Sequence, residues 1–357
     1  MSGPTIRDIA REANVGTATV ERVLNDRGGV RTELAERVIK AAKKLKYGDR
    51  RLTPHRGIIR IEVLLVQPEA DFFYADLNAA FQRISASLDP TILVHRTIVR
   101  EDDIPGVARY IARPPLRRAG LIVLAPDHPE IRESIRQARA SGVEVVQMLT
   151  GSAGADVPYI GIDNYAAGRT AAYYMSRMLR GSSGTLIAIC HSGAYRAHRE
   201  RIRGFSDYLS QNMSGDHSFD RVIFGRDDNL FSAERLAEAL RDDDSVIGVY
   251  SVGAGTEGIA AALKAHPAKV FWIGHARTHS TAKCLRSGLM DICIDGAQET
   301  QARRSLDTVL RRLGLIDVDV SGAPVQFLTI TAESLAASDG YNESRLRDGT
   351  LSMQPGE

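Results

Sequence analysis

Short apolar runs alternate with amphipathic stretches along most of this 357-residue chain, and this alternation limits the possible folds more than any other feature. Helical patterns of roughly 10 to 20 residues separate most of the runs. Such alternation is typical of parallel sheets covered by helices on both faces. Eleven strands are too many for one comfortable sheet, so we expect an α/β body of two doubly wound lobes. The predicted strands are 58–66, 91–98, 120–125, 143–149, 159–162, 185–190, 221–225, 246–252, 270–274, 291–294 and 325–331.

The first 47 residues have a different pattern, with no strand-like run and the spacing of three short helices. Thr5 is placed to cap the first helix, and Asp8 favours the positive end of that helix. Asn14 tolerates the left-handed backbone of a tight turn, and Gly16 can cap the second helix. A third helix is expected over 32–45. One small core is predicted from Ile6, Ile9, Ala10, Ala13, Val15, Val20, Val23, Leu24, Leu34, Val38, Ile39, Ala42 and Leu45.

Charge is distributed unevenly between this head and the rest of the chain. Residues 1–60 carry a net charge of +7 and the remaining residues −5, which together give the +2 of the chain. A basic head on a mildly acidic body indicates a polyanionic partner for one end only. Helix two would then present Thr17, Ala18, Glu21, Arg22 and Asn25 to the major groove. Spacing alone leaves a small helical cap with a solvated basic face equally open.

A resemblance decides between these alternatives. The stretch TIRDIAREANVGTATVERVLNDRGGVRTELAERVIKAAKKLKY resembles the head of the lac repressor (LacI/GalR) family. The positions that match are Thr5, Asp8, Ala10, Ala13, Val15, Thr19, Val20, Arg22, Val23, Leu24 and Asn25. The resemblance implies a helix-turn-helix DNA-binding domain over 1–47, with Thr17 and Ala18 as the base-contacting pair. The DNA-binding residues that we expect are Thr5, Gly16, Thr17, Ala18, Thr19, Arg22, Asn25, Arg31, Arg50, Arg51 and Arg56.

The match has departures. Gly16 and Glu21 stand where the family usually has serines, and Glu21 should weaken the attraction to phosphate. In the linker, 48–57, Pro54 and Gly57 oppose the hinge helix that the family forms on DNA. Arg56 stands at the place of the leucine that usually enters the minor groove. Insertion into the groove is therefore in question, although arginines can still enter a narrow minor groove electrostatically.

The body, 58–340, resembles the periplasmic-binding-protein-like effector domain of the same family. The sharpest match is VPYIGIDNYAAGRTAAYYM, and GLIVLAP, RIRGF, FWIGH and SGLMDICID add to it. The resemblance implies a ligand cleft between lobe one (58–158 and 296–324) and lobe two (159–295 and 325–340). The polar tail, 341–357, lacks leucine heptads. Asp163 and Asn164 are expected to cap a helix rather than touch the ligand.

Six residues are expected to bind the effector: Phe73, Tyr74, Arg201, Phe231, His275 and Asp295. The resemblance places Arg201 where the family contacts sugar hydroxyls or a purine. The aromatic residues suit sugar faces but equally suit a core. His275 stands where many members have Asp, and Asp295 where many have Gln. A His275–Asp295 pair would make binding pH-sensitive, while a core histidine held by a carbonyl is equally open.

Other classes of function have weaker support. The segment 253–258 fits GxGxxG but lacks the carboxylate that a dinucleotide site wants about 20 residues later, so a tight turn is the better account. His275 and His279 have no third ligand beside them. We expect no catalytic residues, no metal and no cofactor. We expect the three cysteines to be reduced, buried thiols: Cys190, Cys284 and Cys293. A charged N-terminus unlike a signal peptide argues for the cytoplasm and against an exported solute-binding protein.

These observations predict a cytoplasmic transcriptional regulator, a repressor of carbohydrate uptake or catabolism genes. Two heads of a homodimer would bind a palindromic operator in double-stranded DNA. A sugar or sugar derivative between the lobes would alter the affinity for that operator.

Overall fold

The computed structural model describes residues 5–24, 30–45, 58–67, 72–152, 154–212, 217–253 and 255–339. The head contains α1 (Ile6–Ala13), α2 (Thr17–Leu24) and α3 (Thr32–Lys44). Its core is one small cluster to which all three helices contribute. The fully or nearly fully buried members are Ile9, Ala10, Ala13, Val20, Val38, Ala41 and Ala42. The three predicted helices are confirmed to within one residue at each end.

The first sheet of the body is entirely parallel, with the strand order β2-β1-β3-β4-β5. Its strands are β1 (Ile59–Gln67), β2 (Ile92–Arg100), β3 (Gly120–Leu124), β4 (Glu144–Met148) and β5 (Tyr159–Ile160). The connecting helices are α4 (Phe72–Ser85), α5 (Ile104–Ala112) and α6 (Pro129–Ala140). The prediction that 159–160 belongs to the second lobe is wrong, because Tyr159 and Ile160 pair with β4.

The second sheet has the order β11-β10-β9-β8-β6-β7, and only the β10–β11 pair is antiparallel. The elements, in chain order, are α7 (Asn164–Met178), β6 (Gly184–Cys190), α8 (Arg196–Asn212), β7 (His217–Phe224), α9 (Asn229–Asp242), β8 (Val246–Gly253), α10 (Thr256–Ala265), β9 (Phe271–His275), α11 (His279–Arg286), β10 (Ile292–Asp295), α12 (Gln298–Arg312), β11 (Leu328–Ile330) and α13 (Ala332–Asp339). Each of the eleven strands of the two sheets overlaps a predicted run.

The chain passes between the two sheets three times. It leaves the first sheet after β5, returns after β10, and crosses again before β11. The crossings lie side by side, because Ile162 bridges Val325 and the Val325 amide donates to the Gly161 carbonyl at 2.8 Å. α12 belongs to the first lobe, where Leu306, Val309 and Leu310 are buried in its core. Two lobes are thus joined by three neighbouring segments.

Two glycines bring α7 and α8 into close contact. A Cβ at Gly168 would overlap the carbonyl oxygen of Arg201, and a Cβ at Gly204 would overlap that of Tyr165. Only glycine allows two helix backbones to approach so closely. The packing fixes the position of Arg201 relative to the start of α7, where the Asp163 carboxylate accepts a hydrogen bond from the Ala166 amide at 2.8 Å. The predicted helix cap at Asp163 is therefore present.

Candidate functional site

The turn between α1 and α2 places the face of α2 on the surface. Asn14 adopts φ 50° and ψ 52°, and the Val15 amide donates to the Ala10 carbonyl at 3.0 Å. From α3, the Arg37 guanidinium donates to the Ala13 carbonyl at 2.7 Å and so ties α3 to the end of α1. Capping carbonyls at a helix end in this way stabilises the turn. The relative position of α1 and α2 is therefore fixed by backbone and side-chain bonds.

The predicted DNA-contacting side chains of α2 lie on its open face. Thr17, Ala18 and Arg22 are exposed, while Val20 on the opposite face is fully buried. Glu21 is exposed on the same side, so its negative charge stands beside Arg22. Thr19 is half-buried, and Gly16 and Arg31 are exposed. A short helix with small residues at its N-terminus and an arginine further along has the shape of a major-groove reader.

The remaining predicted DNA contacts have different outcomes. The Thr5 hydroxyl lies 2.6 Å from a carboxylate oxygen of Asp8, which also accepts from the Thr5 amide at 2.8 Å. This capping box satisfies the end of α1 and uses the hydroxyl proton of Thr5. Thr5 can therefore offer DNA only an acceptor. Asn25, Arg50, Arg51 and Arg56 lie outside the described residues.

A cavity of about 460 Å³ lies at the carboxyl ends of the strands of both sheets. Ligands of open α/β sheets bind at this edge, because the loops after the strands converge there. Of the six predicted effector residues, Phe73, Tyr74, Arg201 and His275 line the cavity. Sequence reasoning missed several polar lining residues, among them Thr150, His198, Ser251, Glu257, Gln298 and Gln301.

Arg201 is held at the cavity wall by neutral acceptors. Its Nε donates to Oδ1 of Asn164 at 2.8 Å, and its Nη1 donates to the Val252 carbonyl at 2.9 Å. Burial lowers the pKa of the guanidinium from its ordinary value. Asn164 is itself almost completely buried, so the arginine cannot swing away without leaving a buried amide unpaired. The side chain is held in place before any ligand arrives.

The expected pair of His275 with Asp295 is wrong. His275 Nε2 lies 2.7 Å from the hydroxyl of Tyr250, a fully buried residue of the adjacent strand β8. The Asp295 carboxylate instead accepts from the backbone amides of Arg277, at 3.0 Å, and Ala297. Burial, together with the charges of Arg201 and His198, lowers the pKa of His275 well below its ordinary value. His275 is therefore a neutral, buried histidine at neutral pH.

Phe231 and Asp295 do not line the cavity. The Phe231 ring lies under the guanidinium of Arg226, 4.9 Å from its centroid, and its amide donates to the Asp228 carboxylate that caps α9. Asp295 holds the crossing that follows β10. Both residues were chosen for residue type and approximate position, and neither property specifies which way a side chain points.

One contact between the lobes is centred on His191, at the end of β6. Its Nε2 lies 2.7 Å from the carboxylate of Glu101, a residue of the first lobe, and its Nδ1 lies 3.6 Å from that of Asp227. The Tyr195 hydroxyl donates to Glu101 at 2.7 Å. Burial alone would lower the pKa of His191, but the Glu101 and Asp227 carboxylates outweigh it and raise that pKa. Burial opposes the ionised form of Glu101, yet the hydrogen bonds from His191 and Tyr195 lower its pKa.

A second contact between the lobes is centred on Asp127, just beyond β3. Its carboxylate accepts from Arg199 of the second lobe at 2.7 Å and from Arg132 of the first at 2.8 Å. The Asp127 amide donates to the Ala194 carbonyl of the second lobe at 2.9 Å. Burial would raise the pKa of Asp127, but the two arginines hold it below its ordinary range. Ionic and backbone bonds thus join both walls of the cleft.

The GxGxxG segment forms the turn from β8 into α10 beside the cavity. Gly253 adopts φ +126°, a conformation that strains other residues. A Cβ at Gly258 would overlap the backbone oxygen of Asn229 at the start of α9. The glycines are therefore explained by a turn and by helix packing. Among the described residues, no group of side chains could hold a metal ion, and no helix is long and apolar enough to cross a membrane.

A helix-turn-helix head with an exposed second helix, followed by two α/β lobes around a cavity, defines a class of ligand-responsive DNA-binding proteins. Residues 5–48 match the model for bacterial regulatory proteins of the lacI family, and residues 117–314 match the model for a periplasmic binding protein domain. The chain belongs to the lacI family and carries a periplasmic-binding-protein-like body. It is a DNA-binding transcriptional regulator.

Two curated relatives span most of the chain. The ribose operon repressor of Halalkalibacterium halodurans is 23% identical over 260 residues, which cover 69% of this chain and 71% of that protein. Catabolite control protein A of Priestia megaterium is 22% identical over 263 residues, covering 69% and 73%. Each similarity therefore extends over about two thirds of this chain.

Solved structures resemble the body. An ABC transporter solute-binding protein from Burkholderia graminis, in complex with D-arabinose, has a TM-score of 0.70 at 17% identity and covers 80% of this chain and 99% of its own. GanP, a glucose-galactose binding protein from Geobacillus stearothermophilus, has a TM-score of 0.69 at 16% identity and covers 78% and 99%. At such identities the likeness shows the fold alone.

Proposed function

We propose that the chain is a repressor of carbohydrate uptake or catabolism genes that a sugar or sugar derivative controls by binding between the lobes. The observation that carries this proposal is the cavity itself, because residues from both lobes line it, and a DNA-binding head precedes it in the same chain. The ribose operon in the name of one relative supports the class of effector. A regulator of genes acts where the chromosome is, so we also propose a cytoplasmic location.

The mechanism follows from the contacts across the cleft. A ligand that touches both walls stabilises the closed arrangement in which Glu101 meets His191 and Asp127 meets Arg199. The three crossing segments allow the lobes to rotate relative to each other. Such a rotation would change the spacing of the two heads of a homodimer, and a coupling of about 1–3 kcal/mol would change operator affinity roughly 5- to 150-fold. The proposal includes the homodimer and the division of the chain into a head (1–47), a linker (48–57) and a body (58–340).

Three features of α2 define the expected DNA contact. Arg22 can form two hydrogen bonds to one guanine edge, and Thr17 and Ala18 can approach a thymine methyl. Arg31 and Gly16 stand beside them for phosphate contact. A two-fold symmetric dimer would present these groups to two half-sites one or more helical turns apart.

The experiment is a mobility shift with footprinting on the DNA upstream of the gene for this protein, over a salt series. We expect a protected palindrome, an affinity that falls steeply with salt, and release by a sugar or a sugar derivative. Sedimentation of the protein with and without DNA would count the subunits. The absence of any specific footprint would refute the regulator, and a footprint over a single half-site by a monomer would refute the dimer.

A further inference from the structure

Arg201 is a cation in the cleft with no carboxylate partner. Its two hydrogen bonds go to an amide oxygen and a backbone carbonyl, and no acid of the described residues forms an ion pair with it. Charged groups in protected sites are normally paired, because losing water without a counterion is costly. Its remaining nitrogen, Nη2, has no hydrogen bond within the described part of the chain, and the residue lines the cavity. The geometry therefore leaves a charged donor for a ligand.

Two histidines also line the cavity, and neither supplies negative charge. His275 pairs with Tyr250, and His198 lies against Gly253 at the end of β8. Burial, followed by the charges of Arg201 and His191, lowers the pKa of His198 to about 3. Both rings are therefore neutral at neutral pH, and Arg201 sets the charge of the corner. We call Arg201, His198 and His275 the basic corner.

The acids that also line the cavity are already engaged elsewhere. Asp227 faces His191, with 3.6 Å between its carboxylate and Nδ1. The Glu257 carboxylate accepts from the Ser280 hydroxyl at 3.0 Å. Neither carboxylate forms a hydrogen bond or ion pair with Arg201 in the described residues. His275, which also lines the cavity, bonds to Tyr250 and supplies no negative charge, so the described part of the cavity lacks an acid that pairs with the arginine.

We propose that the effector is an anion, a sugar acid or a sugar phosphate, whose negative group binds Arg201 in the basic corner. This inference rests on the proposed function and specifies its ligand. The charged guanidinium forms strong hydrogen bonds to carboxylate and phosphate oxygens, and Nη2 is available for such a bond. The cavity volume lies within the range of about 300–1,000 Å³ that is usual for small-molecule sites. Phe73 and Tyr74 also line the cavity, and aromatic rings suit the apolar side of a carbohydrate ring.

The test is calorimetric titration of the full-length protein with matched pairs of compounds. D-galacturonate is compared with D-galactose, D-glucuronate with D-glucose, and D-gluconate is added as an open-chain acid. D-glucose 6-phosphate and D-ribose 5-phosphate form the phosphate arm. We expect an acid or a phosphate to bind at least tenfold more tightly than its neutral parent, and the tighter arm identifies the anionic group. Equal or tighter binding of the neutral sugars, or no binding of any anion at millimolar concentration, would overturn the proposal.

Variants test whether the basic corner causes the preference for anions over neutral sugars. Arg201→Gln should remove the preference for the anion. His275→Asp should shift the preference toward neutral sugars by supplying the missing acid. Arg203→Gln is the matched control, because Arg203 is exposed on the same helix and does not line the cavity. An anion preference that survives both Arg201→Gln and His275→Asp in folded protein would overturn the assignment.

Operator binding separates the two proposals. If neutral sugars release the DNA, the proposed function stands and the anionic effector is wrong. If the protein binds no operator at all, the proposed function fails, whatever the calorimetry shows.

Discussion

The two binding regions of this protein are built from opposite kinds of contact. In the head, every residue that presents or supports the DNA-contacting face lies within about 40 positions, and the contacting side chains point into solvent. In the cleft, the lining residues run from Phe73 to Gln301, and those such as Arg201 and His275 are held by bonds to residues distant in the sequence. An exposed helix face needs only a stable helix in the right place. A cleft needs two sheets, three crossings and a set of buried polar groups whose partners are all far apart in sequence.

The largest effect is expected from the head core, which is small and local. Ile9→Ala empties a fully buried position in a seven-residue core and should cost about 2–5 kcal/mol. We expect the head to unfold and operator binding to disappear, while ligand binding in the cleft is unchanged. Hydrogen exchange of the head amides and calorimetry with ligand measure the two effects. Ile9→Val, which should cost about 0.5–1.5 kcal/mol, is the conservative control. Loss of ligand binding in the cleft together with unfolding of the head would contradict the independence of the two binding regions.

The converse change is made in the second lobe. Gly258→Ala places a methyl group into the backbone of α9 and should destabilise that lobe by about 1–3 kcal/mol or more. We expect weaker ligand binding and an earlier unfolding transition of the body, with the head intact. Gly322→Ala, where a Cβ meets nothing within 4 Å, is the control. Because the glycine serves packing, the unmodified protein should bind no nicotinamide dinucleotide, and binding of one would instead support a dinucleotide site at 253–258.

The third change concerns a single exposed side chain of the head. Arg22→Ala should lower specific operator affinity by about 1–3 kcal/mol, or roughly 5- to 150-fold, and relax sequence preference at one base pair. Its exposed position makes a loss of stability improbable as the cause. Arg241→Ala, an exposed arginine on α9, is the control. Unchanged operator affinity on mobility shift would argue against α2 as the recognition helix.

The smallest effect concerns pH and the contact between the lobes. The pKa of His191 is raised above its ordinary value of 6.5, so His191 loses its charge only as the pH rises through this raised pKa. The pKa of Glu101 is lowered below its ordinary value of 4.5, so Glu101 is protonated only as the pH falls through this lowered pKa. The ion pair is therefore complete between these two ordinary values and weakens at higher pH. Ligand affinity should therefore decline as the pH rises above 6.5, the ordinary pKa of a histidine.

Glu101→Gln should flatten this decline, because the partner of His191 across the cleft is then neutral. The other groups around His191 are Asp227, Tyr195 and His198, and all of them remain. Glu130→Gln, at an exposed position of the first lobe, is the control. The same slope of affinity against pH in Glu101→Gln and in unmodified protein would show that the contact does not control closure.

The sequence by itself determined the head almost completely. Its helices are set by local signals: the Thr5–Asp8 cap, the Asn14 turn and apolar residues at helical spacing all act within a few positions. The strand-helix alternation likewise predicted both sheets, because a buried strand is recognisable from its own composition. The predicted strand 159–162 was found, but its sheet was not, since pairing with β4 depends on where the chain crosses between the lobes.

Only the tertiary structure decided the cleft. The sequence predicted Arg201 at the cavity. Its hydrogen bonds to Asn164 and Val252 are a consequence of the close approach of α7 and α8. The sequence left open whether His275 pairs with Asp295 or is a core histidine; it bonds to Tyr250, because β8 lies beside β9 and the Asp295 carboxylate faces the backbone of the crossing. His191, His198 and Glu101 carry no local signal of their roles. Side-chain direction at the end of a strand is set by neighbouring strands and helices, and those neighbours are distant in the sequence.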